Sequence, residues 1–175
     1  MTSATYAKEL LSPAMPTLLQ TSHGDLRLNG SGTRKKLMLN VYQLGLYLKQ
    51  TTQDANAVIE RDEPMALRIM ITSTLITGEK MAQATRDGFL QATQGQLGNL
   101  QPYLDRLLDA FNQTIHEGDI YDLVYSPEQG LEIYRNEQLY QQVHAGPTFK
   151  QALFAIWLGN KPIQKSLKQA LLNHA

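Results

Sequence analysis

Residues 37–48 read Leu37-Met38-Leu39-Asn40-Val41-Tyr42-Gln43-Leu44-Gly45-Leu46-Tyr47-Leu48. In an extended chain successive side chains point to opposite faces. One face then carries Leu37, Leu39, Val41, Gln43, Gly45 and Tyr47, the other Met38, Asn40, Tyr42, Leu44, Leu46 and Leu48. Both are largely apolar, which predicts a central strand covered on both sides rather than a surface strand. Asn40, Tyr42 and Gln43 bring polar atoms into that covered setting, and each needs a partner or a ligand.

Upstream, Thr17-Leu18-Leu19-Gln20-Thr21 and Asp25-Leu26-Arg27-Leu28-Asn29 flank Ser22-His23-Gly24, a polar loop whose glycine supplies positive φ. That is a hairpin signature. Gly30-Ser31-Gly32-Thr33 reads as a further turn leading into the long strand. Downstream, Leu67, Ile69 and Ile71 alternate with Arg68, Met70 and Thr72, so residues 65–73 predict another strand of the same sheet. Helical spacing then takes over. Leu100, Tyr103, Leu104, Leu107, Leu108 and Phe111 share one face, with Asp105, Arg106 and Asp109 opposite. Once buried, each of those apolar side chains contributes roughly 1.5–3 kcal/mol before entropy is counted. Residues 78–92 carry a weaker pattern through Met81, Ala84, Gly88 and Ala92.

Strands return at 119–125 and 131–135, joined by the turn chemistry of Ser126-Pro127-Glu128-Gln129-Gly130, and Asn136-Glu137 turns into a strand at 138–143. Two helices close the sequence. Phe149, Leu153, Ile156 and Trp157 line the first, which Gly159 caps. Pro162 opens the second, lined by Ile163, Leu167, Ala170 and Leu171. Antiparallel strands with segregated helices define an α+β domain.

The sequence has 175 residues, a size that fits one domain spanning 1–175, with residues 1–15 as an N-terminal extension. Lys plus Arg and Asp plus Glu number 16 each, so no global charge draws the protein to nucleic acid or to an anionic membrane. With no cysteine, disulfides, thiolate catalysis, zinc–thiolate sites and iron–sulfur clusters are all excluded. The longest purely apolar run, Ala152-Leu153-Phe154-Ala155-Ile156-Trp157-Leu158, falls far short of the ~20 residues of a spanning helix.

Chemistry-bearing patterns are few. His23, His116, His144 and His174 lie far apart without metal-ligand spacing, so no metal is expected. A Gly-x-Ser-x-Gly elbow is absent. Asp119 and Asp122 fall on opposite faces of their strand, which makes them solvated edge residues rather than an acid–base pair. The stretch that stands out is Gly30-Ser31-Gly32-Thr33-Arg34-Lys35-Lys36. It lacks the Gly-Lys-Ser/Thr spacing of a phosphate loop and runs into a strand, not a helix. Two readings remain open: a hairpin turn with a solvated basic rim, or an Arg34 turned inward to grip an anion through paired hydrogen bonds.

Three stretches in register carry a resemblance. They are Leu28-Asn29-Gly30-Ser31-Gly32-Thr33-Arg34-Lys35-Lys36, then Val41-Tyr42-Gln43-Leu44-Gly45-Leu46-Tyr47-Leu48, and finally residues 149–162, which contain Ile156-Trp157-Leu158-Gly159-Asn160-Lys161-Pro162. Together they resemble the bacterial chalcone-isomerase-like proteins, over about residues 16–172. The resemblance implies an open-faced β-sandwich, a large antiparallel sheet with helices packed on one face and a ligand cleft between them. Fatty-acid-binding relatives use an arginine for the carboxylate, which matches Arg34. The threonine of the plant enzymes' catalytic site falls at Tyr42, their tyrosine at Thr77 and their asparagine at Ala84. Threonine is too short to do that tyrosine's work, and alanine offers no polar atom. Ring closure needs reactants held in attack geometry and an enolate stabilised, so little isomerase activity is expected.

The expectation is therefore a non-catalytic binder of a fatty acid or similar amphiphilic carboxylate, its ligand-binding residues Arg34, Tyr42, Asn40 and Thr77, with no cofactor and no nucleic-acid partner. Two alternatives stand beside it: an intramolecular lyase using Arg34 and Tyr42, and an accessory domain whose cleft is filled by Tyr42, Met70 and Met81. Bacterial relatives of this type commonly carry an export signal, and Ser3-Ala4-Thr5-Tyr6-Ala7 fits a post-cleavage start. The expected location is periplasmic, with cytoplasmic as the alternative.

Overall fold

The computed structural model describes residues 15–172. Most of the expected N-terminal extension, the Ser3–Ala7 stretch and His174 lie outside them. Seven strands form one sheet in simple chain order, every neighbouring pair antiparallel. They are β1 (Leu18–Thr21), β2 (Gly24–Lys36), β3 (Leu39–Leu48), β4 (Met65–Ile71), β5 (Ile120–Ser126), β6 (Gly130–Arg135) and β7 (Gln138–Val143). The helices are α1 (Ala55–Glu60), α2 (Gly78–Ala92), α3 (Gln101–Phe111), α4 (Pro147–Leu158) and α5 (Lys165–Leu172), with a 3₁₀ turn at Gly98–Leu100. They pack on one face of the sheet, as an α+β open-faced sandwich requires. Among the described residues, no helix is long and apolar enough to cross a membrane.

Period-two alternation sorts the strand residues. Leu44, Leu46, Leu67, Ile69, Leu123 and Ile133 join Phe89, Leu104, Leu107, Phe111, Phe149 and Leu153 from the helices in the main core. Their opposite-facing neighbours Tyr47, Ala66 and Val124 form a smaller cluster with Met15, Leu19 and Leu26. On that second face Arg68 and Asp122 sit directly opposite each other on β4 and β5. Nε donates to Oδ1 at 2.7 Å and Nη2 to Oδ2 at 2.8 Å. Asp122 is thus a buried ion-pair partner on an interior strand, not the solvated edge residue that its position in the sequence implied.

The element α1 has no strong apolar signature. Asp54 caps it, its Oδ1 accepting from the backbone N–H groups of Asn56 and Ala57 at 3.0 and 3.3 Å. Its other end is closed by Lys150 of α4, whose ammonium donates to the carbonyls of Val58, Ile59 and Arg61 at 2.5, 2.7 and 2.6 Å. Those are the carbonyls a helix C-terminus leaves without partners.

The glycine-rich stretch is not a turn. Gly30, Ser31, Gly32, Thr33 and Arg34 are all paired with β3, and the hairpin turns instead at Leu37-Met38, so β3 begins at Leu39. The two glycines let α5 lie close against β2. A Cβ on Gly30 would stand 2.5 Å from the Leu171 carbonyl oxygen, and one on Gly32 would stand 2.8 Å from the Ala170 Cβ.

A second correction concerns Asn40. Arg34 pairs with Tyr42, but Lys35 pairs with Asn40, so Val41 is an extra residue in the ladder. Such a bulge opposes two residues to one and reverses the alternation beyond it. Leu39 and Val41 therefore join Tyr42 on the helix-covered side, while Asn40 is exposed on the other.

Candidate functional site

Where α2 and the end of α4 spread apart over β3, a cleft of about 610 Å³ opens. Small-molecule sites commonly fall within roughly 300–1,000 Å³. Its floor is Leu39, Val41 and Tyr42. One wall is the face of α2 that presents Met81, Ala84, Thr85 and Gly88, and the other is Ile156, Trp157 and Ile163. Leu37, Leu75 and Ile76 also line it. Gly88 sets how closely the two helices approach, because a Cβ there would lie 2.8 Å from Ile156 Cγ2.

Two of the four expected ligand-binding residues meet here. Tyr42 is buried in the floor, and Trp157 Nε1 donates to its hydroxyl at 2.9 Å. Burial pushes the phenol above its ordinary value of 10.0, while the Trp157 hydrogen bond and the Arg34 charge pull more weakly the other way. Neutral phenol that accepts from an indole keeps its own O–H to donate.

Arg34 stands beside it on β2, half-buried, in register with Tyr42. Its Nη1 donates to the Lys35 carbonyl at 2.9 Å and to Gln164 Oε1 at 3.3 Å. Gln164 acts as a bracket. Its Oε1 also accepts from the Lys35 N–H at 2.8 Å, and its Nε2 donates to the Thr33 carbonyl at 3.0 Å. Among the described residues no carboxylate lies within ion-pair distance of Arg34. Further cations on the lining are Lys36, Lys80 and Lys161, against one carboxylate, Asp87, which accepts from Gln83 Nε2 at 2.9 Å.

The other two expected residues are elsewhere. Asn40 faces away, and its carbonyl accepts from Thr72 Oγ1 at 3.2 Å. Thr77 is exposed and caps α2, its hydroxyl accepting from the Lys80 N–H at 3.1 Å. Ala84 lines the cleft with a methyl group, and the Thr85 hydroxyl is turned onto the Met81 carbonyl at 2.8 Å. Met70 belongs to the opposite face of the sheet and fills none of the cleft. The sequence marks neither Trp157 nor Gln164 as a site residue. The first lies within the Ile156–Gly159 motif but reads as ordinary helix core. The second shows no signal until β2 and the start of α5 are brought together.

Among the described residues no three His, Cys, Asp or Glu side chains cluster so as to hold a metal ion. His23 is taken up by Glu132, with Nε2 and Oε1 2.5 Å apart. What the cleft offers is apolar walls, a neutral hydrogen-bond donor at the floor and a guanidinium with donors to spare.

Residues 7–173 match the family model described as chalcone isomerase-like. Among solved structures, the crystal structure of a fatty-acid binding protein from Arabidopsis thaliana superposes with a TM-score of 0.69 at 15% sequence identity, covering 90% of each chain. At that identity the likeness establishes the shared fold. A comparison with curated proteins finds no match.

Proposed function

The chain belongs to the chalcone isomerase-like family, and from that premise we propose that it is a non-catalytic binding protein for a fatty acid or a similar amphiphilic carboxylate. The observation that carries this reading is a single juxtaposition: Arg34, with no carboxylate partner among the described residues, at an apolar cleft floored by Tyr42. A carboxylate there takes charge-assisted hydrogen bonds from the guanidinium and accepts from the Tyr42 O–H. The hydrocarbon chain then lies against Met81, Ala84, Ile156 and Trp157. The fold shared with a plant fatty-acid binding protein supports the same reading.

An intramolecular lyase would call on the same Arg34 and Tyr42. Against it, Ala84 has no polar atom and Thr77 is committed to capping α2 outside the cleft. An accessory domain with a filled interior is disfavoured by the open volume beside Arg34. A periplasmic location forms part of the proposal, and fractionation of the expressed protein checks it.

Calorimetric titration of delipidated protein with a long-chain fatty acid and with its methyl ester tests the binding. Hydrogen bonds to charged groups contribute about 1.5–3 kcal/mol, so the acid should bind at least about tenfold more tightly than the ester. Equal affinities would remove Arg34 from the account. Consumption of a chalcone above the buffer rate would revive the enzyme.

A further inference from the structure

The β2–β3 hairpin ends in Leu37-Met38, whose side chains are 95% and 101% exposed. Leu37 also holds a φ of 58°. Glycine, asparagine and aspartate reach that left-handed region most readily, and a leucine there costs free energy. This leucine recovers nothing by burial. Local strain kept without a structural return points to a function. Nearby, Leu75 is 64% exposed and shares the cleft lining with Leu37. Charge gathers around the same place. Lys35 and Lys36 precede the turn, and Lys80 and Lys161 stand exposed along the cleft. The cleft lining itself carries one acid, Asp87, engaged by Gln83, and Glu79 precedes Lys80 in the first turn of α2. A sequence of zero formal net charge thus concentrates cations beside its most exposed apolar side chains.

We propose that this tip docks on the anionic surface of a lipid bilayer. Leu37, Met38 and Leu75 enter the headgroup region, and Lys35, Lys36 and Lys80 meet lipid phosphates. Apolar side chains flanked by lysines match both properties of such a surface: a hydrocarbon boundary beneath a layer of negative charge. The docking rests on the tip and its neighbours Leu75 and Lys80, independently of the binding reading. Its consequence for cargo rests on the binding reading above: Leu37 lines the cleft, so docking sets the opening against the membrane and gives an amphiphile a path that avoids water.

The test is co-sedimentation of the full chain with vesicles of phosphatidylcholine alone and of phosphatidylcholine with one-third phosphatidylglycerol. Wild type should partition onto the anionic vesicles, far less onto the neutral ones, and release at high salt. The double variant Lys35→Glu/Met38→Glu alters two exposed residues outside the cleft lining. It should lose at least about tenfold in partitioning, since each cation near the surface contributes about fivefold. Leu37→Gly should also bind vesicles less, with a thermal midpoint at or above wild type because the φ strain is relieved. A purely structural role for Leu37 would lower that midpoint. Wild type indifferent to vesicle charge, or a double variant that sediments like wild type, would overturn the proposal. Vesicle binding as described, together with no fatty-acid binding in solution by either protein, would uphold the docking and sink the cleft's assignment instead.

Discussion

Lys150 shows how far one side chain can escape a reading by pattern. It lies on a helix whose neighbours Phe149, Leu153 and Ile156 are core, and a lysine there is ordinarily assigned to solvent. In the fold it is buried on three backbone carbonyls of α1 and the residue after it, an element whose end no apolar period announces. Burial brings its pKa down from 10.5 to about 8. The sign follows from proton counting. Between those values the unfolded chain holds a proton that the folded chain has released, so Lys150 makes stability rise with pH there. Near the top of that range the buried tyrosines act oppositely, because Tyr42 and its like stay protonated when folded. The clean comparison is therefore the thermal midpoint of wild type relative to Lys150→Met, measured from pH 8 upward towards 10. The gap should move in favour of wild type as pH rises, and a constant gap would refute the assignment. Arg34 and Tyr42, by contrast, stand out in the sequence as groups that need partners: a guanidinium after Gly-x-Gly-x and a phenol in an apolar strand.

Strands and helices were legible wherever periodicity alone defines them. Helix α2 falls on 78–92, and β4 to β7 follow their expected runs within two residues at each end. What alternation does not carry is the count of residues in a ladder. One extra residue at Val41 moves Asn40 to the far side of the sheet, and no local feature of the sequence marks it. Pairing across strands is hidden in the same way, which is why Asp122 reads as an edge residue until β4 delivers Arg68 opposite it. From sequence alone Gly30 and Gly32 read as turn residues. Their freedom serves a helix–strand contact, not a loop. Gly30→Ala should drive α5 off β2 because the clash is with backbone carbonyls that have no rotamer to change. Overpacking of this kind costs about 1–3 kcal/mol. Hydrogen exchange should show lost protection across residues 165–172, and unchanged protection there would mean the contact is looser than described.

Taken whole, the molecule is a sheet with two unlike faces. Among the described residues five α-helices cover one, and the other carries a small apolar cluster around the Arg68–Asp122 pair. The architecture was readable because a meander needs only neighbour pairing, and every strand lies beside its sequence neighbours. The cleft was not readable as a volume. It arises from the spacing of α2 and α4 over β3, which depends on Gly88 meeting Ile156. Wild type supplies its own reporter of occupancy, since Trp157 is the only tryptophan in the sequence and lies in the cleft wall. Titration of delipidated protein with a long-chain fatty acid, followed by Trp157 emission, should give a saturable change. In Arg34→Ala its midpoint should move at least about tenfold higher, as loss of hydrogen bonds to a charged group implies. Emission that never responds in wild type, or titrations that overlay in the two proteins, would contradict a carboxylate held at Arg34.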